Sequence, residues 1–398
     1  MHPNVPHLRF PEFHGEWEEH GLSEYLDFKN GLNPDSKRFG KGIKFISVMD
    51  ILNNPVITYD CIRASVQATD AEMSSFSVEN GDILFQRSSE TLEDVGRANV
   101  YIDDKVAVFG GFVIRGKKKA NYNPLFFRYL LSSPYARKRI IPMGAGAQHF
   151  NIGQEGLSKV LLNFPSIEEQ TKIASLLHLL DERIATQSKL IEDLKKLKSA
   201  IIVEHYRQTE KNEVCVADLG NHFNVGNLAK DDLSETGKPC IIYGELFTTY
   251  GEIISQIESH TNKTEGMILS KKGDLLFPSS TTVDAVSLIA PSVINVDNVI
   301  LGGDMFGIHI SHNYNTQYLS YYFNHIAKKQ LAKFAKGSTI IHLHYTDIEK
   351  AKLLLPSLEE QNRMAKCLVA LDKKVSVEQN LLSSLTCQKS YLLQQMFI

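Results

Sequence analysis

Two long stretches of the chain carry apolar residues about every 3.5 positions, which predicts two long helices that each need a partner. Polar residues interrupt both stripes at matching places, Gln187 with Glu378 and Lys198 with Lys389. A helix of about 40 residues spans about 60 Å, which is longer than one small domain covers. We therefore expect the helices to pair with each other and to hold two globular units apart, and the alternative is that each packs only on its own unit. The predicted seam consists of Ile173, Leu177, Leu180, Ile184, Ile191, Leu194 and Ile201 in the first helix and of Met364, Leu368, Leu371, Val375, Leu382, Leu385 and Leu392 in the second.

The two stretches are copies of each other. Pro165–Tyr206 and Pro356–Phe397 align without a gap and share 13 identities in 42 positions. Each begins with Pro-Ser and has a Glu three residues after the Ser, which is the pattern of a capping box at a helix start. Further upstream, Gly81–Phe85 recurs as Gly273–Phe277. The sequence thus predicts an internal duplication with a first globular unit at 1–164, a central helix at 165–207, a second unit at 208–355 and a terminal helix at 356–398.

Short strands and helices alternate within both globular units, which predicts an α+β fold. We expect helices at Pro124–Arg139 and Thr316–Phe334. The expected strands are Ile43–Val48, Asp82–Phe85, Lys105–Phe109, Val160–Leu162, Ile241–Tyr243, Asp274–Phe277 and Phe306–Ile310.

Composition limits the class of protein. The chain has 398 residues, 43% of them apolar and 22% charged, with a net charge of −3, so a basic surface must be local. No apolar run is long enough to span a bilayer, and we expect no membrane association. Five cysteines without a CxxC pair and an N-terminus without a leader pattern predict a cytoplasmic location.

Motifs for methyl or phosphoryl transfer are incomplete. Asn54–Ile57 lacks the second proline and the aromatic residue of an adenine methyltransferase loop. The segment from Gly111 to Lys117 begins like a phosphate-binding loop, but Lys118 stands where a Ser or Thr would hold the metal ion.

Motifs for metal-dependent hydrolysis are incomplete as well. Asp35 with Asp103–Lys105 resembles a nuclease site, but the second copy lacks the lysine. The pairs His309 with His312 and His342 with His344 have no neighbouring Cys or carboxylate. We expect no catalytic residue, no metal site and no cofactor bound by this chain.

Basic clusters and polar loops are the candidates for DNA contact, because Lys and Arg neutralise phosphates and Ser, Thr, Asn and Gln bond to base edges. A solvated surface is the alternative for each cluster. The candidate residues are Lys37, Arg38, Lys41, Arg87, Ser88, Ser89, Lys117, Lys118, Lys119, Gln148, His149, Asn151, Ser279, Ser280, Thr281, Lys336, Ser338, Thr339 and His342.

The duplicated Pro-Ser-(Ile/Leu)-Glu-Glu-Gln helices resemble those of the specificity subunit of type I restriction-modification systems. Leu8–Phe13, Phe28–Gly31 and both Gly-Asp-(Ile/Leu)-Leu-Phe strands are similar to that family too. The resemblance implies two target recognition domains, each reading one half of a split double-stranded DNA sequence, and an antiparallel coiled coil.

The same resemblance implies partner subunits. Two modification subunits use S-adenosylmethionine to methylate adenine at N6, and restriction subunits use ATP and Mg²⁺. The base-reading residues differ between members, so none is transferred to this chain. Two other functions stay open at this point, a diverged stand-alone methyltransferase or nuclease and a coiled-coil scaffold without DNA binding.

Overall fold

The computed structural model describes residues 4–398. The first three residues, which belong to the segment where we expect no leader, lie outside the described part. The chain forms two compact units. Unit 1 is the chain up to Lys189 together with Asn380–Ile398, and unit 2 is Leu190–Gln379.

Unit 1 combines short strands with short helices. Its strands are β1 (Glu18–Gly21), β2 (Leu26–Asn30), β3 (Phe39–Ile46), β4 (Ser65–Val66), β5 (Ser77–Val78), β6 (Ile83–Gln86), β7 (Ser88–Ser89), β8 (Ala98–Val100), β9 (Ala107–Phe109), β10 (Val113–Lys118), β11 (Phe150–Asn151) and β12 (Leu161–Phe164). The helices are α1 (Leu22–Tyr25), α2 (Val48–Asn53), α3 (Asp70–Phe76), α4 (Pro124–Ser132), α5 (Pro134–Ile140) and α6 (Gln154–Ser158), followed by the long α7 (Ile167–Gln208).

Unit 2 has a similar order of elements with additional short strands. Its strands are β13 (Asn212–Cys215), β14 (Gly220–Asn224), β15 (Leu233–Ser234), β16 (Lys238–Ile242), β17 (Ile253–Ile254), β18 (Ser259–Thr261), β19 (Ile268–Leu269), β20 (Asp274–Pro278), β21 (Ser280–Thr281), β22 (Ser292–Ile294), β23 (Ile300–Gly302), β24 (Met305–Ile310), β25 (Ile341–His342) and β26 (Lys352–Leu355). The helices are α8 (Glu245–Thr248), α9 (Ala285–Leu288), α10 (Thr316–Tyr322), α11 (Lys328–Leu331), α12 (Tyr345–Ile348) and the long α13 (Leu358–Gln395).

The sheets have the same plan in both units. The main sheet has the order β2-β10-β6-β8 in unit 1 and β14-β24-β20-β22-β17 in unit 2. A second sheet, β4-β3-β9-β5 or β15-β18-β16-β23-β19, contains a parallel pair at β3/β9 and at β16/β23. Two further ladders, β1/β12 and β13/β26, join the start of each unit to the strand before its long helix. The mixed α/β fold and its duplication are therefore confirmed.

The central strand of each main sheet is buried on both faces. Ile83 and Phe85 of β6 belong to the core under α4, while Leu84 points into a second core against the neighbouring sheet. In β20, Leu275 and Phe277 face one core and Leu276 the other. Successive side chains of a strand point to opposite faces, so a continuous apolar run suits a strand that is covered on both sides.

The glycine and aspartate before these strands form the turns that start them. Gly81 and Gly273 have φ of +93° and +94°, a conformation that glycine adopts without steric cost. Asp82 accepts hydrogen bonds from the backbone N–H of Glu79 and Lys118, both at 3.0 Å. The recurring Gly-Asp pair is thus a structural motif.

The long helices pack together and run antiparallel, as the resemblance implies. Within unit 1, Lys389 Nζ lies 2.5 Å from Asp181 Oδ1. Within unit 2, Lys198 bonds to Asp372 at 2.7 Å, and the later His205 lies 2.9 Å from the earlier Glu360. The predicted seam residues are buried, apart from a half-buried subset that consists of Ile184, Leu194, Ile201, Leu371 and Leu382.

The seam also serves the globular cores. Ile173 and Leu177 lie in the core of unit 1, and Met364 and Leu368 lie in that of unit 2. The first turns of each helix therefore pack on the unit that precedes them. Each long helix therefore packs both on the other long helix and on the globular unit that precedes it.

Local boundaries differ from the expectation in several places. The helix expected over Thr316–Phe334 is α10 and α11, joined by a π-helical turn over Phe323–Ala327. The helix expected over Pro124–Arg139 is two helices, because Ser133 with φ −67° and ψ 150° ends α4 and Pro134 starts α5. The strand expected over Ile43–Val48 ends at Ile46, and Val48 begins α2. Ile202, rather than the neighbouring Ile201, is fully buried, because a straight helix drifts from a strict 3.5-residue repeat.

In the described part of the chain, only one of the two hydrogen bonds of a capping box forms at the start of each long helix. The backbone N–H of Glu169 and of Glu360 bonds to the Ser hydroxyl three residues earlier, at 3.4 and 3.3 Å. The Glu169 carboxylate receives two hydrogen bonds from Arg9, each 2.7 Å long, and Glu360 is bonded to His205. The glutamates thus attach other segments to the helix starts.

Candidate nucleic-acid interface

A short β-ribbon presents the polar candidates of unit 1. Strand β7 pairs antiparallel with β11, with Ser88 opposite Asn151 and Ser89 opposite Phe150, and the Ser88 hydroxyl bonds to the Asn151 side chain. Ala145 and Asn151 exchange backbone hydrogen bonds of 2.9 Å, which close the loop between them. The structure brings Arg87–Ser89 and Gln148–Asn151 together. We call β7, β11 and this loop the unit 1 ribbon.

Unit 2 has the same ribbon with different side chains. Strand β21 pairs with β25, with Ser280 opposite His342 and Thr281 opposite Ile341. Lys336 and His342 exchange backbone hydrogen bonds of 2.9 and 2.7 Å, closing a loop that holds Ser338 and Thr339. We call β21, β25 and this loop the unit 2 ribbon. The two ribbons share a backbone design and differ in the groups that they expose.

A glycine shapes the turn of each ribbon loop. Gly146 and Gly337 have φ of +147° and +116°. A Cβ atom at either position would lie 2.0 Å from a backbone carbonyl oxygen, that of His149 or Ile340. Only glycine fits these turns, because the Cβ atom of any other residue would clash with the carbonyl oxygen. The side chains of 147–149 and 338–340 are exposed around them.

In the first basic cluster, Arg38 is bonded to other protein groups, whereas the two lysines lie on the surface. Arg38 bonds to both carboxylate oxygens of Glu72 and to the Gln67 carbonyl oxygen, and its hydrogen bonds bring the pKa of Glu72 to about 2. Lys37 and Lys41 are exposed. Arg38 therefore fixes the segment that carries the two lysines.

The second basic cluster lies away from the unit 1 ribbon. Strands β6 and β10 are antiparallel, with Gly116 opposite Ile83 and Val113 opposite Gln86. Lys117–Lys119 hence sit at the end of β6 opposite to Arg87. Lys117 contacts Glu79 at 3.0 Å and Lys118 donates to the Tyr122 carbonyl oxygen at 3.0 Å, whereas Lys119 is exposed.

A polar node that the sequence analysis missed lies beneath the helix pair of unit 1. The Asp181 carboxylate receives hydrogen bonds from the Tyr129 hydroxyl at 2.9 Å and from Arg128 at 3.1 Å, and it pairs with Lys389. Burial raises the pKa of Asp181, but these partners outweigh burial and lower it. We call this group node 1.

Node 2 is its counterpart in unit 2. Lys198 lies between Asp372 at 2.7 Å and Glu252 at 2.9 Å, and the Tyr321 hydroxyl donates to Asp372. Burial raises the pKa of Glu252, but the hydrogen bond with His325 and the charge of Lys198 bring it to about 2. The sequence signals were the identities of Asp181 with Asp372 and of Lys198 with Lys389 in the repeat alignment, whereas Arg128 and Glu252 left no signal.

A third repeated contact explains the Gln of the Pro-Ser-x-Glu-Glu-Gln motif. Gln170 donates to the Pro165 carbonyl oxygen at 3.0 Å and accepts from the Asn123 N–H at 3.1 Å. Gln361 does the same with Pro356 and Asn315, at 2.9 and 3.0 Å. Asn123 and Asn315 cap α4 and α10, so the glutamine links two helix starts in each unit.

The incomplete motifs have structural roles. Gly116 lies within strand β10 rather than in a phosphate loop. Asp103 accepts from the backbone N–H of Lys105 and Tyr59, which lowers its pKa, and Asp35 caps a turn by accepting from the N–H of Lys37. The expectation that His309 has no neighbouring carboxylate is wrong, because it bonds to Asp274, 35 positions earlier in the chain, at 2.6 Å.

Within residues 4–398, no group of three or more His, Cys, Asp or Glu side chains is arranged to hold a metal ion. None of the helices in this described part is both long and apolar enough to cross a bilayer.

Comparison with known proteins agrees with the duplicated architecture. The sequence profile of the family described as "Type I restriction modification DNA specificity domain" matches residues 14–196 and 209–386. The chain belongs to this family. The two matches, one per copy, confirm the resemblance from the duplicated helix motifs.

Relatives extend the similarity over nearly the whole length. The chain is 23% identical to a protein of Methanocaldococcus jannaschii assigned as the MjaX type I restriction enzyme specificity subunit, over 94% of this chain and 91% of that protein. It is 21% identical to the MjaVIII specificity subunit of the same organism, over 93% and 89%. The crystal structure of the type I S subunit from M. genitalium has the same fold, with a TM-score of 0.61, 16% identity and 99% coverage of both chains.

These comparisons assign the biochemical class. The chain is a type I specificity subunit, the component of such systems that recognises DNA and does not catalyse. The prediction that this protein is not an enzyme is confirmed by that membership. The individual DNA-contacting residues stay predictions.

Proposed function

We propose that this specificity subunit reads a bipartite and asymmetric DNA target, with each unit reading one half. The observation that carries the proposal is the pair of ribbons, which share backbone hydrogen bonds but expose Gln148 and Asn151 in one unit and Lys336 and Thr339 in the other. The half-buried Arg87 and His342 differ between the units as well. A common scaffold with different side chains suits the reading of two different half-sites.

The polar composition of the ribbons supports contact with base edges. Two-stranded ribbons are narrow enough to enter the major groove, where each base pair shows a distinct pattern of donors and acceptors. The exposed Lys37 and Lys41 flank Phe39, which lines the same concavity as Ser88, and they provide phosphate contacts beside the unit 1 ribbon. With a net charge of −3, these local groups carry the electrostatic attraction.

We further propose that the subunit directs separate modification subunits, which methylate adenine at N6, and restriction subunits. In unit 1 the helix pair exposes Leu176 and Leu179, and in unit 2 it exposes Leu190 and Leu197, which provide apolar surface for protein contacts. In this proposal the partner subunits use S-adenosylmethionine, ATP and Mg²⁺. Two modification subunits bind, one for each unit of this chain. The protein acts in the cytoplasm, where its DNA is.

A map of methylated adenines tests the proposal. The gene is expressed with its modification subunits in a host that lacks adenine methylation, and the same host with the modification subunits alone is the control. We expect one split, asymmetric motif that appears only with this chain. Methylation at unchanged sites without this chain would contradict the proposal.

The two other functions have their own tests. Purified chain without partners, incubated with labelled S-adenosylmethionine and DNA, should transfer no methyl group, and with Mg²⁺ it should not cut DNA. A scaffold without DNA binding would show equal affinity of the assembled complex for target and scrambled duplexes. We expect a clear preference for the target, weakening steeply with salt.

A further inference from the structure

One residue at the base of each ribbon occupies an equivalent position in the two units. The backbone N–H of Arg87 donates to the carbonyl oxygen of Phe112 at 2.9 Å, and that of Ser279 donates to Asp304 at 2.7 Å. Phe112 and Asp304 directly precede β10 and β24, which pair with β6 and β20 in the same register. Both residues thus lie beside the residue that directly precedes a ribbon strand, Arg87 before β7 and Ser279 before β21.

In unit 1 this position is apolar and open. The Phe112 side chain is 68% exposed. Together with Phe39 and Met49, which are also exposed, it lines a shallow concavity that includes Ser88 of the ribbon. Exposed aromatic and thioether groups gathered beside a polar ribbon provide a surface for a small apolar group.

In unit 2 the same position carries a charge. Asp304 is exposed, and its Oδ2 atom accepts a hydrogen bond of 2.7 Å from the hydroxyl of the buried Ser280 in the ribbon. Among residues 4–398, no basic side chain forms an ion pair with Asp304. A carboxylate lowers the affinity for a polyanion, so its use at a DNA-facing position is to accept a hydrogen bond from a base amino group.

We propose that Phe112 and Asp304 are equivalent specificity-determining residues with opposite chemistry. Phe112 contacts a thymine methyl group in the half-site of unit 1, and Asp304 accepts from the N4 amino group of a cytosine in the half-site of unit 2. This inference rests on the proposed function, and it assigns one base pair in each half-site to one side chain.

The test of Asp304 is the methylation motif of the Asp304→Asn complex with its modification subunits. Asn donates as well as accepts, so the preference for cytosine at one base pair of one half-site should fall about 10-fold, in favour of adenine. The other half-site and the spacer should stay unchanged. Asp297→Asn is the matched control. This substitution removes the same charge at the opposite end of β20, where Asp297 accepts a hydrogen bond from the backbone N–H of Lys272.

The test of Phe112 uses duplexes in which single thymines of the mapped motif are replaced by deoxyuridine, which lacks the methyl group. The wild-type complex should bind about 4-fold more weakly at one position of the other half-site, as expected for one buried methyl group. Phe112→Ala should bind both duplexes equally. Val106→Ala, at the far end of β9, is the control and should keep the wild-type difference.

The outcomes distinguish failure of the proposed function from failure of the inference about Phe112 and Asp304. If the wild-type complex marks no defined motif, the proposed function fails and this inference with it. If a motif exists but Asp304→Asn leaves it unchanged, or Phe112→Ala keeps the full sensitivity to deoxyuridine, only the inference is overturned. Exchange variants, Phe112→Asp and Asp304→Phe, provide a second test, because they should move the base preference between the half-sites.

Discussion

Lys198 is a buried lysine whose charge is matched by two carboxylates. Its Nζ atom lies 2.7 Å from Asp372 and 2.9 Å from Glu252, and both charges raise the pKa of Lys198 against the opposing effect of burial. The interruption of the apolar stripe was visible in the sequence, but its partners were not, because they lie 54 and 174 positions away along the chain. Node 2 could therefore be identified only from the structure.

Removing the lysine should destabilise unit 2 strongly. Lys198→Met keeps the volume but leaves the half-buried carboxylates of Glu252 and Asp372 without their cation, which costs about 3 kcal/mol. Urea unfolding of the full chain measures the loss. Lys196→Met is the control, because Lys196 is an exposed lysine of the same helix that pairs with Glu192, and it should unfold like the wild type. Equal stability of Lys198→Met and wild type would contradict the role of node 2.

The depressed pKa of Glu252 predicts an acid-sensitive contribution to stability. The pKa of Glu252 is about 2 in the fold against an ordinary value of 4.5, so the folded state favours the ionised form. This contribution is complete above pH 4.5 and is lost as the pH falls towards 2. Thermal unfolding of wild type and Glu252→Gln should differ most near neutral pH and converge towards pH 2. A difference that is constant over this range would show that Glu252 is not stabilised as an anion.

At the scale of elements, the long helices were predictable and the ribbons were not. A stripe that continues over 42 residues outweighs local propensity, and the helix begins where the Pro-Ser motif places it. Strands such as β7 and β11 have two residues each, which is too short for any periodicity. Their pairing depends on contacts between segments about 60 positions apart, so Arg87 and Asn151 could be named from the sequence but not placed together.

The seam leucines should tolerate no charge. Leu177 and Leu368 are fully buried where each long helix meets its own globular core. Leu177→Lys or Leu368→Lys removes apolar burial and places an ammonium group there, at a cost of about 3–5 kcal/mol. We expect lower thermal stability and loss of co-purification with modification subunits. Leu179→Lys, at a position 64% exposed, should keep the stability of the wild type, and a normal Leu177→Lys complex would refute the packing described here.

At the scale of the molecule, the duplication was visible in the sequence, but the sharing of the helices was not. The last turns of α13 and the residues that follow it complete the core of unit 1, where Phe397 packs on Trp17 with ring centroids 6.3 Å apart. In unit 2 the corresponding Tyr206 of α7 contacts Tyr322 at 5.7 Å. Each unit therefore uses the start of one long helix and the end of the other. Only the matching offset of Tyr206 and Phe397 hinted at this arrangement.

Helix length should set the spacer between the half-sites. Four residues added to both helices, after Lys189 and after Gln379, preserve the pairing within each unit and add about 6 Å of helix. This length is close to two base-pair steps of about 3.4 Å. A methylation map should show the same bases separated by a spacer about two pairs longer. The insertion in one helix alone is the control and should disrupt assembly, while altered bases at an unchanged spacing would contradict this role of the helices.

Exchange of one recognition unit should change one half of the target. Residues 208–355 of unit 2 contact the long helices through Ile202, Met364 and Leu368, which belong to the core of that unit. Gln361 lies outside the exchanged segment and accepts a hydrogen bond from the backbone N–H of Asn315. A replacement unit with a capping residue at the position of Asn315 can donate the same bond, so it should dock on the existing helices. We expect the methylation map to show one half-site with the bases of the donor protein, while the other half-site and the spacer stay those of the wild type. The reciprocal exchange of residues 1–164 should alter the opposite half. A single exchange that alters both half-sites would show that the two units do not read DNA independently.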